Sequence, residues 1–423
     1  MALALEWDGL VGQVRELDGF QDFLRPPRVE DLLPAAERGP VAVINVSRWR
    51  CDALLVRPDG VKSIELEDLT LEAASERANR YLDTLREVET AEKALFAAYD
   101  AAAADPGHAG DRRMARASQE VARAQDRVDV MLTELQAWMW DTIAGPVLAE
   151  LGYDGTPAGD VSTWPRLWWC PTGALTVLPL HTAGYHADPV EARRTVLDRV
   201  VSSYTPTLRA LLDARDPRRR MPTPAGEPDR MLLVSVGNAE GQVPLKTEAE
   251  RDVLQELFPG ELSTTLPEAD ATRQRVRQEL GRHRWVHFSC HGDQDLNDPS
   301  QGGVWLTDGM LTIADLTAEQ FDGDFAGLSA CKTAIGGIDL LDEAITLAAA
   351  LHYLGYRHVV ATLWSVNDKH TSEVFTSIYR KIAADGKLRP DLAPAALHEA
   401  VRALRDSAPE WPHQWTPFTH TGP

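Results

Sequence analysis

The chain has 423 residues, of which 44% are hydrophobic and 25% charged, and its formal net charge is −21. This composition is typical of a folded globular protein with two or three domains, or with one large α/β unit. The negative charge argues against a general nucleic-acid-binding protein, whose affinity depends on neutralising phosphates, and it is compatible with basic partners.

The cysteines and the N-terminus favour a cytoplasmic protein. Four cysteines are widely spaced without a CxxC pair: Cys51, Cys170, Cys290 and Cys331. The first residues turn acidic too early for a secretion signal, and no apolar run approaches the roughly 20 residues needed to cross a bilayer. We therefore expect reduced thiols in the cytoplasm and no membrane contact.

The first 69 residues predict short helices followed by a small β element. Strand-like runs at 41–46, 52–57 and 61–66 follow a Pro-interrupted amphipathic segment. Asp59-Gly60, between the last two runs, is typical of a hairpin turn.

Residues 70–150 predict a long antiparallel helical hairpin, with helices over 70–103 and 111–150. Apolar residues in the second helix alternate three and four apart: Met114, Ala117, Val121, Ala124, Val128, Met131, Leu135 and Trp138. Such a seam packs against another helix, most simply its predecessor. The alternative is a docking arm for a regulatory partner chain or a second copy. No 34-residue repeat is present, so no tetratricopeptide array is expected.

Residues 151–213 predict a strand at 167–170, a turn, and a partner strand at 175–178. Residues 214–230 are rich in Pro, Gly and Arg, which is typical of an exposed linker. Within this linker, Arg218-Arg219-Arg220 is a candidate point of self-cleavage.

Residues 231–423 alternate between strands and helices. Strands are expected at 231–236, 262–265, 284–290, 325–330 and 357–363, and an inserted hairpin at 304–312. Helices are expected at 247–258, 272–280, 339–354, 369–385 and 391–406. Strands joined by helices need crossover connections, so we expect a mostly parallel sheet with helices on both faces.

Two of these strands end on residues able to perform acyl transfer. One runs into His291-Gly292 and the other into Cys331, which lies 40 positions later. Ligands collect beyond the carboxyl ends of parallel strands, so His291 and Cys331 are expected side by side at one rim. This arrangement suits a thiolate nucleophile with an imidazole as its base and acid.

Other side chains nearby have structural interpretations. Cys290 directly precedes His291, and successive strand residues point to opposite faces, so we assign Cys290 to packing and His287 to the core. A zinc site built from these residues and Cys331 lacks regular ligand spacing. No metal or cofactor is expected.

The His-Gly and Ser-Ala-Cys-x-Thr strand ends resemble those of the CHAT family of caspase-like cysteine peptidases. The resemblance covers roughly residues 130 to 423. It extends to 170–173 with 178–180, to 203–207, to 363–368 and to 415–418. Residues 45–47 with 50–53 further resemble CHAT proteins of fungal type.

This resemblance implies a caspase-like fold, with 151–213 as the first part of the CHAT region and 231–423 as the catalytic domain. It implies that the amides of Gly292 and Cys331 hold the oxyanion. The segment 363–369 is similar to one in separase, a related enzyme that cuts after arginine. When the separase roles are transferred to this chain, the resemblance implies that Asp368 pairs with a basic side chain of the substrate. It also implies that Ser329 lines the specificity pocket. From the residues alone, Asp368 fits equally well as an N-cap of the following helix.

The leading hypothesis is therefore a cysteine endopeptidase that performs limited proteolysis of a partner protein, with cleavage after Lys or Arg as a further expectation. The resemblance favours a role in bacterial defence or regulated cell death. The alternative is a catalytically weak caspase-like adaptor or scaffold, with the helical seam and Trp-rich segments as its binding surfaces.

Overall fold

The computed structural model describes residues 2–17, 20, 23–104, 108–219, 229–295, 298–317, 321–330, 346–364 and 366–423. Cys331 and Arg220 lie outside the described residues, as does the predicted start of a helix at Asp339. The side chains of Arg219 and Asp368 also lie outside the described part of the chain.

Strands and helices are numbered in chain order. The strands are β1 (Val41–Asn45), β2 (Asp52–Arg57), β3 (Gly60–Glu65), β4 (Arg166–Pro171), β5 (Gly184–Tyr185), β6 (Arg194–Thr195), β7 (Val201–Tyr204), β8 (Met231–Ser235), β9 (Ser263–Leu266), β10 (Trp285–Ser289), β11 (Gly292–Asp293), β12 (Gly303–Leu306), β13 (Gly309–Thr312), β14 (Phe325–Ser329), β15 (His358–Thr362), β16 (Ala383–Ala384), β17 (Lys387–Leu388) and β18 (Phe418–Thr421). The α-helices are α1 (Ala2–Arg15), α2 (Val29–Leu32), α3 (Leu71–Ala104), α4 (His108–Met139), α5 (Gly145–Leu151), α6 (Leu208–Arg215), α7 (Glu248–Leu257), α8 (Arg273–Leu280), α9 (Ile313–Leu316), α10 (Leu347–Tyr353), α11 (Asp368–Ile382), α12 (Ala393–Ser407) and α13 (Pro412–Trp415).

One large sheet runs through the described part of the chain, in the order β3-β2-β1-β4-β7-β18-β15-β14-β10-β8-β9. From β15 to β9 every neighbouring pair is parallel. The pairs β1–β4, β4–β7 and β7–β18 are also parallel, whereas β1, β2 and β3 pair antiparallel. The predicted mostly parallel α/β sheet is confirmed.

Strand β18 joins the two parts of this sheet. It pairs parallel with β7 on one side and antiparallel with β15 on the other. Trp168 of β4 donates its indole N–H to the Gly422 carbonyl oxygen at 2.7 Å, which further ties the end of this strand to the N-terminal part.

The predicted helical hairpin is present as α3 and α4, and α4 continues through a π-helical turn into α5. Val128, Met131, Leu132 and Leu135 of α4 form one buried cluster with Tyr81 and other residues of α3. The apolar seam is therefore used within the chain, where burial of such side chains contributes about 1.5–3 kcal/mol each. No helix in the described ranges is both long and apolar enough to span a membrane.

The predicted partner strand at 175–178 is wrong. Residues 175–177 belong to a 3-10 helix, Gly173–Val177, and Leu178 follows it; the Leu175 amide donates to the Thr172 carbonyl. Pro171 and Pro179 flank the segment, and neither has an N–H to contribute to a ladder. Strand β4 pairs instead with β1 and β7.

Two buried histidines occupy the junction between β15 and β18. His358 Nδ1 and His420 Nε2 are 3.1 Å apart, and Ser203 of β7 lies 2.8 Å from His420 Nδ1. The outer nitrogen of His358 faces Asp391 at 3.3 Å. Burial lowers the pKa of His358 to about 4 and the pKa of His420 well below its ordinary value.

These shifts predict that the protein loses stability in acid. A histidine with a lowered pKa in the folded state favours folding fully above its unfolded pKa of about 6.5, and this contribution falls as the pH drops toward 4. We expect the free energy of unfolding in urea to fall between pH 7 and pH 5, by up to about 1.4 kcal/mol per histidine for each unit of pKa difference. His420→Gln should flatten this dependence, whereas His108→Gln, at an exposed position, should leave it unchanged. Identical pH profiles for the wild type and His420→Gln would contradict this account.

Candidate active site

The site is built on the parallel pair β10 and β14. Trp285 pairs with Phe325 and Ser289 with Ser329, so partners differ by 40 positions along the whole ladder. His291 and Cys331 differ by the same 40 positions. Because a parallel ladder keeps its register, β14 leads toward a position beside His291.

Side-chain alternation divides the two strands between the faces of the sheet. Cys290 is 1% exposed and packs in a core cluster with Phe288 and Ala330. His287 lies on the opposite face, where its ring packs against Phe375 and Tyr379 of α11. His291 is an even number of residues from His287, as Cys331 is from Ser329. This spacing is compatible with the prediction that the two members of the dyad share a face.

His291 is half-buried just beyond β10. Its Nε2 lies 2.5 Å from the carbonyl oxygen of Val243, in the loop between β8 and α7. Because a carbonyl only accepts, Nε2 carries the hydrogen, and Nδ1 keeps its lone pair in the neutral ring. The Trp305 amide donates to the His291 carbonyl at 2.7 Å, which holds the backbone in place. Sequence reasoning missed the Val243 contact, since a backbone acceptor leaves no mark in the side-chain pattern.

Gly292 begins β11, and it pairs with Val304 of β12. The small antiparallel sheet β11-β12-β13 thus fixes the backbone that follows His291. On the other strand, the Thr362 hydroxyl of β15 donates to the Ala330 carbonyl oxygen at 2.8 Å. The backbone is therefore held just after His291 by the β11–β12 pairing and at Ala330, the residue before Cys331, by the Thr362 hydroxyl.

Ser329 takes part in a buried polar network. Its hydroxyl donates to Glu250 Oε1 at 2.8 Å, and Glu250 Oε2 lies 2.9 Å from His287 Nε2. The Tyr379 hydroxyl lies 3.0 Å from His287 Nδ1. Burial, followed by the charge of Glu250, raises the pKa of Tyr379 well above its ordinary value.

Sequence reasoning missed Glu250 and Tyr379. Glu250 is buried on α7 together with Leu254, four residues later, and Phe258 just beyond the helix. The sequence signal that could have identified Glu250 is its place on the apolar face of α7. A carboxylate at such a position is buried and therefore needs a partner.

The segment after β15 packs against the helical hairpin. The Trp364 ring meets Tyr81 of α3 edge-on at 5.9 Å, and its indole N–H donates to the His413 carbonyl. His413 is in turn held by Asp129 of α4, whose carboxylate lies 2.7 Å from His413 Nδ1. The hairpin therefore contributes to the position of this segment.

The alternative role of Asp368 as an N-cap is wrong. Asp368 is the first residue of α11, and the Asn367 side chain caps the helix by accepting from the Lys369 amide at 2.9 Å. Asn and Asp are comparable N-caps, so the sequence alone does not separate two adjacent candidates.

A mostly parallel sheet covered by helices, with His291 just beyond β10 and β14 beside that strand, is the arrangement of a caspase-like fold. Two solved structures share it: crystal structures of the Saccharomyces cerevisiae separase–securin complex at 2.6 and 3.0 Å resolution. The TM-scores are 0.56 and 0.52, and the identities are 10% and 9%. Each match covers 93% of this chain and 30% of the other, so this chain spans less than a third of that chain's length.

The sequence matches the CHAT domain over residues 133–423, and the chain belongs to the CHAT family. This confirms the family resemblance and the caspase-like fold. A search of curated proteins gives no match.

The buried network predicts that Gly327 tolerates no side chain. A Cβ at this position of β14 would lie 2.5 Å from the Tyr379 hydroxyl and 2.9 Å from His287 Nδ1. We expect Gly327→Ala to lower the free energy of unfolding by about 1–3 kcal/mol, measured by urea denaturation.

The control is Gly281→Ala, where the nearest atom to an added Cβ is the Gln278 carbonyl oxygen at 3.6 Å. Equal unfolding midpoints for the two variants would contradict the proposed crowding at Gly327.

Proposed function

We propose that this protein is a cysteine endopeptidase in which Cys331 is the nucleophile and His291 its base and acid. The observation that carries the proposal is the β10–β14 register, whose offset equals the spacing of the two residues. Membership of the CHAT family and the fold shared with the separase-containing complexes support it. The hydrogen bond from His291 to Val243 supports a basic role, since it leaves one ring nitrogen able to accept a proton.

In this mechanism His291 accepts the Cys331 proton, and the thiolate attacks the peptide carbonyl carbon. The amides of Gly292 and Cys331 bind the oxyanion, an interaction whose loss typically costs about 10²–10³ in rate. The C–N bond then breaks while His291 gives its proton to the leaving amine. Water, activated by the same imidazole, attacks the thioester and releases the carboxylate product with regeneration of the thiol. The Val243 carbonyl stabilises the imidazolium that forms on the way.

The proposed dyad predicts that removal of either the Cys331 or the His291 side chain abolishes peptide cleavage. The purified wild type and the variants Cys331→Ala and His291→Ala would be incubated with a mixed peptide library, and cleavage sites read by mass spectrometry. We expect each variant to lose at least about 1,000-fold in rate, because nucleophile and base act as a unit.

The matched control is Cys290→Ala, since Cys290 lies on the opposite face and should be dispensable for cleavage. A thiol-reactive peptide probe should label the wild type only at Cys331. Labelling that survives Cys331→Ala would place the nucleophile elsewhere. A wild type that cleaves nothing and is not labelled would favour the adaptor or scaffold function.

We further propose that the cleaved bond follows Lys or Arg, with Asp368 and Ser329 contributing to the pocket. Support comes from the sequence similarity of 363–369 to a separase segment and from the half-buried position of Ser329 at the end of β14.

Asp368→Ala should lower kcat/KM for peptides with a basic residue at the cleaved position by about 10-fold or more, as expected for loss of a charge-assisted contact. The free energy of unfolding of the variant should stay within about 0.5 kcal/mol of the wild-type value, because Asn367 is the helix cap. Parallel measurement of peptide cleavage and urea unfolding checks both expectations. A large loss of stability with unchanged selectivity would contradict the role of Asp368.

The biological setting belongs to the same proposal: limited proteolysis of one partner protein in the cytoplasm, in bacterial defence or regulated cell death. The net charge of −21 is compatible with a basic partner or substrate segment, although it also fits simple solubility. A regulatory chain could bind the helical hairpin, which contacts the segment after β15 through Tyr81 and Trp364. The separase neighbour was solved with a protein partner, securin, which supports the binding of a partner chain to this fold.

A further inference from the structure

A cavity of about 60 Å³ lies where the two parts of the large sheet meet. Thr419 and Thr421 of β18 line it on the face of the sheet where α10 packs, and Ala348 and Ala349 of α10 line it as well. About 10–15 Å³ is enough to hold one water molecule, so the cavity has room for a side chain of four or more heavy atoms.

Segments that resemble CHAT sequences converge on this cavity. Its lining includes Pro171, Leu178, residues 204–206 and Leu363. These positions belong to four of the segments that carry the CHAT resemblance: 170–173, 178–180, 203–207 and 363–368. The proposed proton transfer between the two members of the dyad uses none of these lining residues, so their shared location favours a role in binding.

The lining is apolar in character although it is rich in threonine. The hydroxyls of Thr176, Thr205 and Thr419 each donate to a backbone carbonyl oxygen. Because these donors are used, the three side chains offer mainly their methyl groups to a ligand. No charged side chain lines the cavity within the described part of the chain. The site therefore suits an uncharged aliphatic group, whose removal from water is favourable.

The cavity extends to the rim where Cys331 is predicted to lie. Leu363 lines it, and the preceding residue, Thr362, donates its hydroxyl to the carbonyl oxygen of Ala330, next to Cys331. Thr346, the N-cap of α10, also lines it. Helix α10 ends shortly before β15 begins, so its first turn lies toward the carboxyl end of β15.

The proposed reaction decides which part of a peptide would pass over the cavity. His291 gives its proton to the leaving amine, so the residues after the cleaved bond lie toward β10. The residues before the cleaved bond then extend over β15 and β18, on the other side of β14. Strand β18 is two strands away from β14, a distance of about 10 Å, which an extended peptide covers in about three residues.

We propose that the cavity between β18 and α10 binds an aliphatic side chain of the substrate, carried by the third residue before the one whose carbonyl is attacked. This assignment rests on the proposed peptidase function and adds to it an apolar subsite, separate from the contact expected for Asp368. Leucine, isoleucine and methionine have four heavy atoms in their side chains and match the cavity in size and polarity.

The test uses one cleavable peptide in which Leu or Asn is placed in turn at the second, third and fourth residue before the one whose carbonyl is attacked. The two side chains have nearly the same shape and differ in polarity. The wild type should prefer Leu to Asn at the third residue by about 10-fold or more in kcat/KM, the scale for burial of one aliphatic side chain. The preference should be smaller at the other two positions.

Filling the cavity should remove this preference. Ala349→Leu should bring the ratio of Leu to Asn cleavage close to one, whereas general damage to the enzyme would lower both rates and leave the ratio. Ala350→Leu, the same change at the next residue of α10 and outside the lining, is the matched control and should keep the wild-type ratio. Thr176→Leu fills the cavity from the 3-10 helix Gly173–Val177 and covers the case in which Ala349→Leu does not fold, as judged by circular dichroism.

Two results would overturn the assignment. One is a wild type that shows no preference for Leu at the third residue; the other is a preference that a folded cavity-filling variant retains. Failure of the peptidase proposal itself is distinguishable, because cleavage would then persist in Cys331→Ala or be absent from the wild type. Failure of the subsite alone leaves cleavage that depends on Cys331 and His291 but not on the aliphatic residue.

Discussion

The parallel pairing of β10 with β14 is the interaction on which the rest of the site depends. Its hydrogen bonds fix an offset of 40 positions, and strand alternation then decides which side chains share a face. A slip of one residue would turn the side chains of β14 to the other side of the sheet, so that Ser329 could no longer meet Glu250. The buried network depends on this register, and so does the placement predicted for His291 and Cys331.

The interior of this sheet is unusually polar where its two parts meet. His358, His420 and Ser203 are fully or almost fully buried, and each finds a partner in a neighbouring strand. Because unpaired polar groups are costly to bury, these contacts favour one arrangement of β7, β18 and β15 over any shifted one. The helical hairpin adds a second constraint, since Tyr81 packs against Trp364, just beyond β15, and Asp129 holds His413, whose carbonyl accepts from Trp364.

Elements whose apolar side chains recur with the periodicity of a helix or a strand could be predicted from the sequence. Contacts between residues far apart in the chain could not. Apolar runs predict strands β10, β14 and β15, and the heptad seam of the second helix predicts its packing against the first. Strand β18, Phe-Thr-His-Thr, has no apolar run, and its burial depends on partners such as Ser203. His291 could be named from its strand-end position, but the contact between Glu250 and Ser329 joins residues 79 positions apart. The roles of Cys331 and Asp368 stay predictions.

The order of the sheet also has a consequence for biosynthesis. Among the described strands of this sheet, Phe418–Thr421 is synthesised last, although it lies in the middle of the strand order. Until it emerges, β7 and β15 present open edges, which invite association with other chains. A nascent polypeptide released before residue 418 would keep those edges and could not close the sheet. Synthesis through residue 421 is therefore a condition for joining the two parts of this sheet.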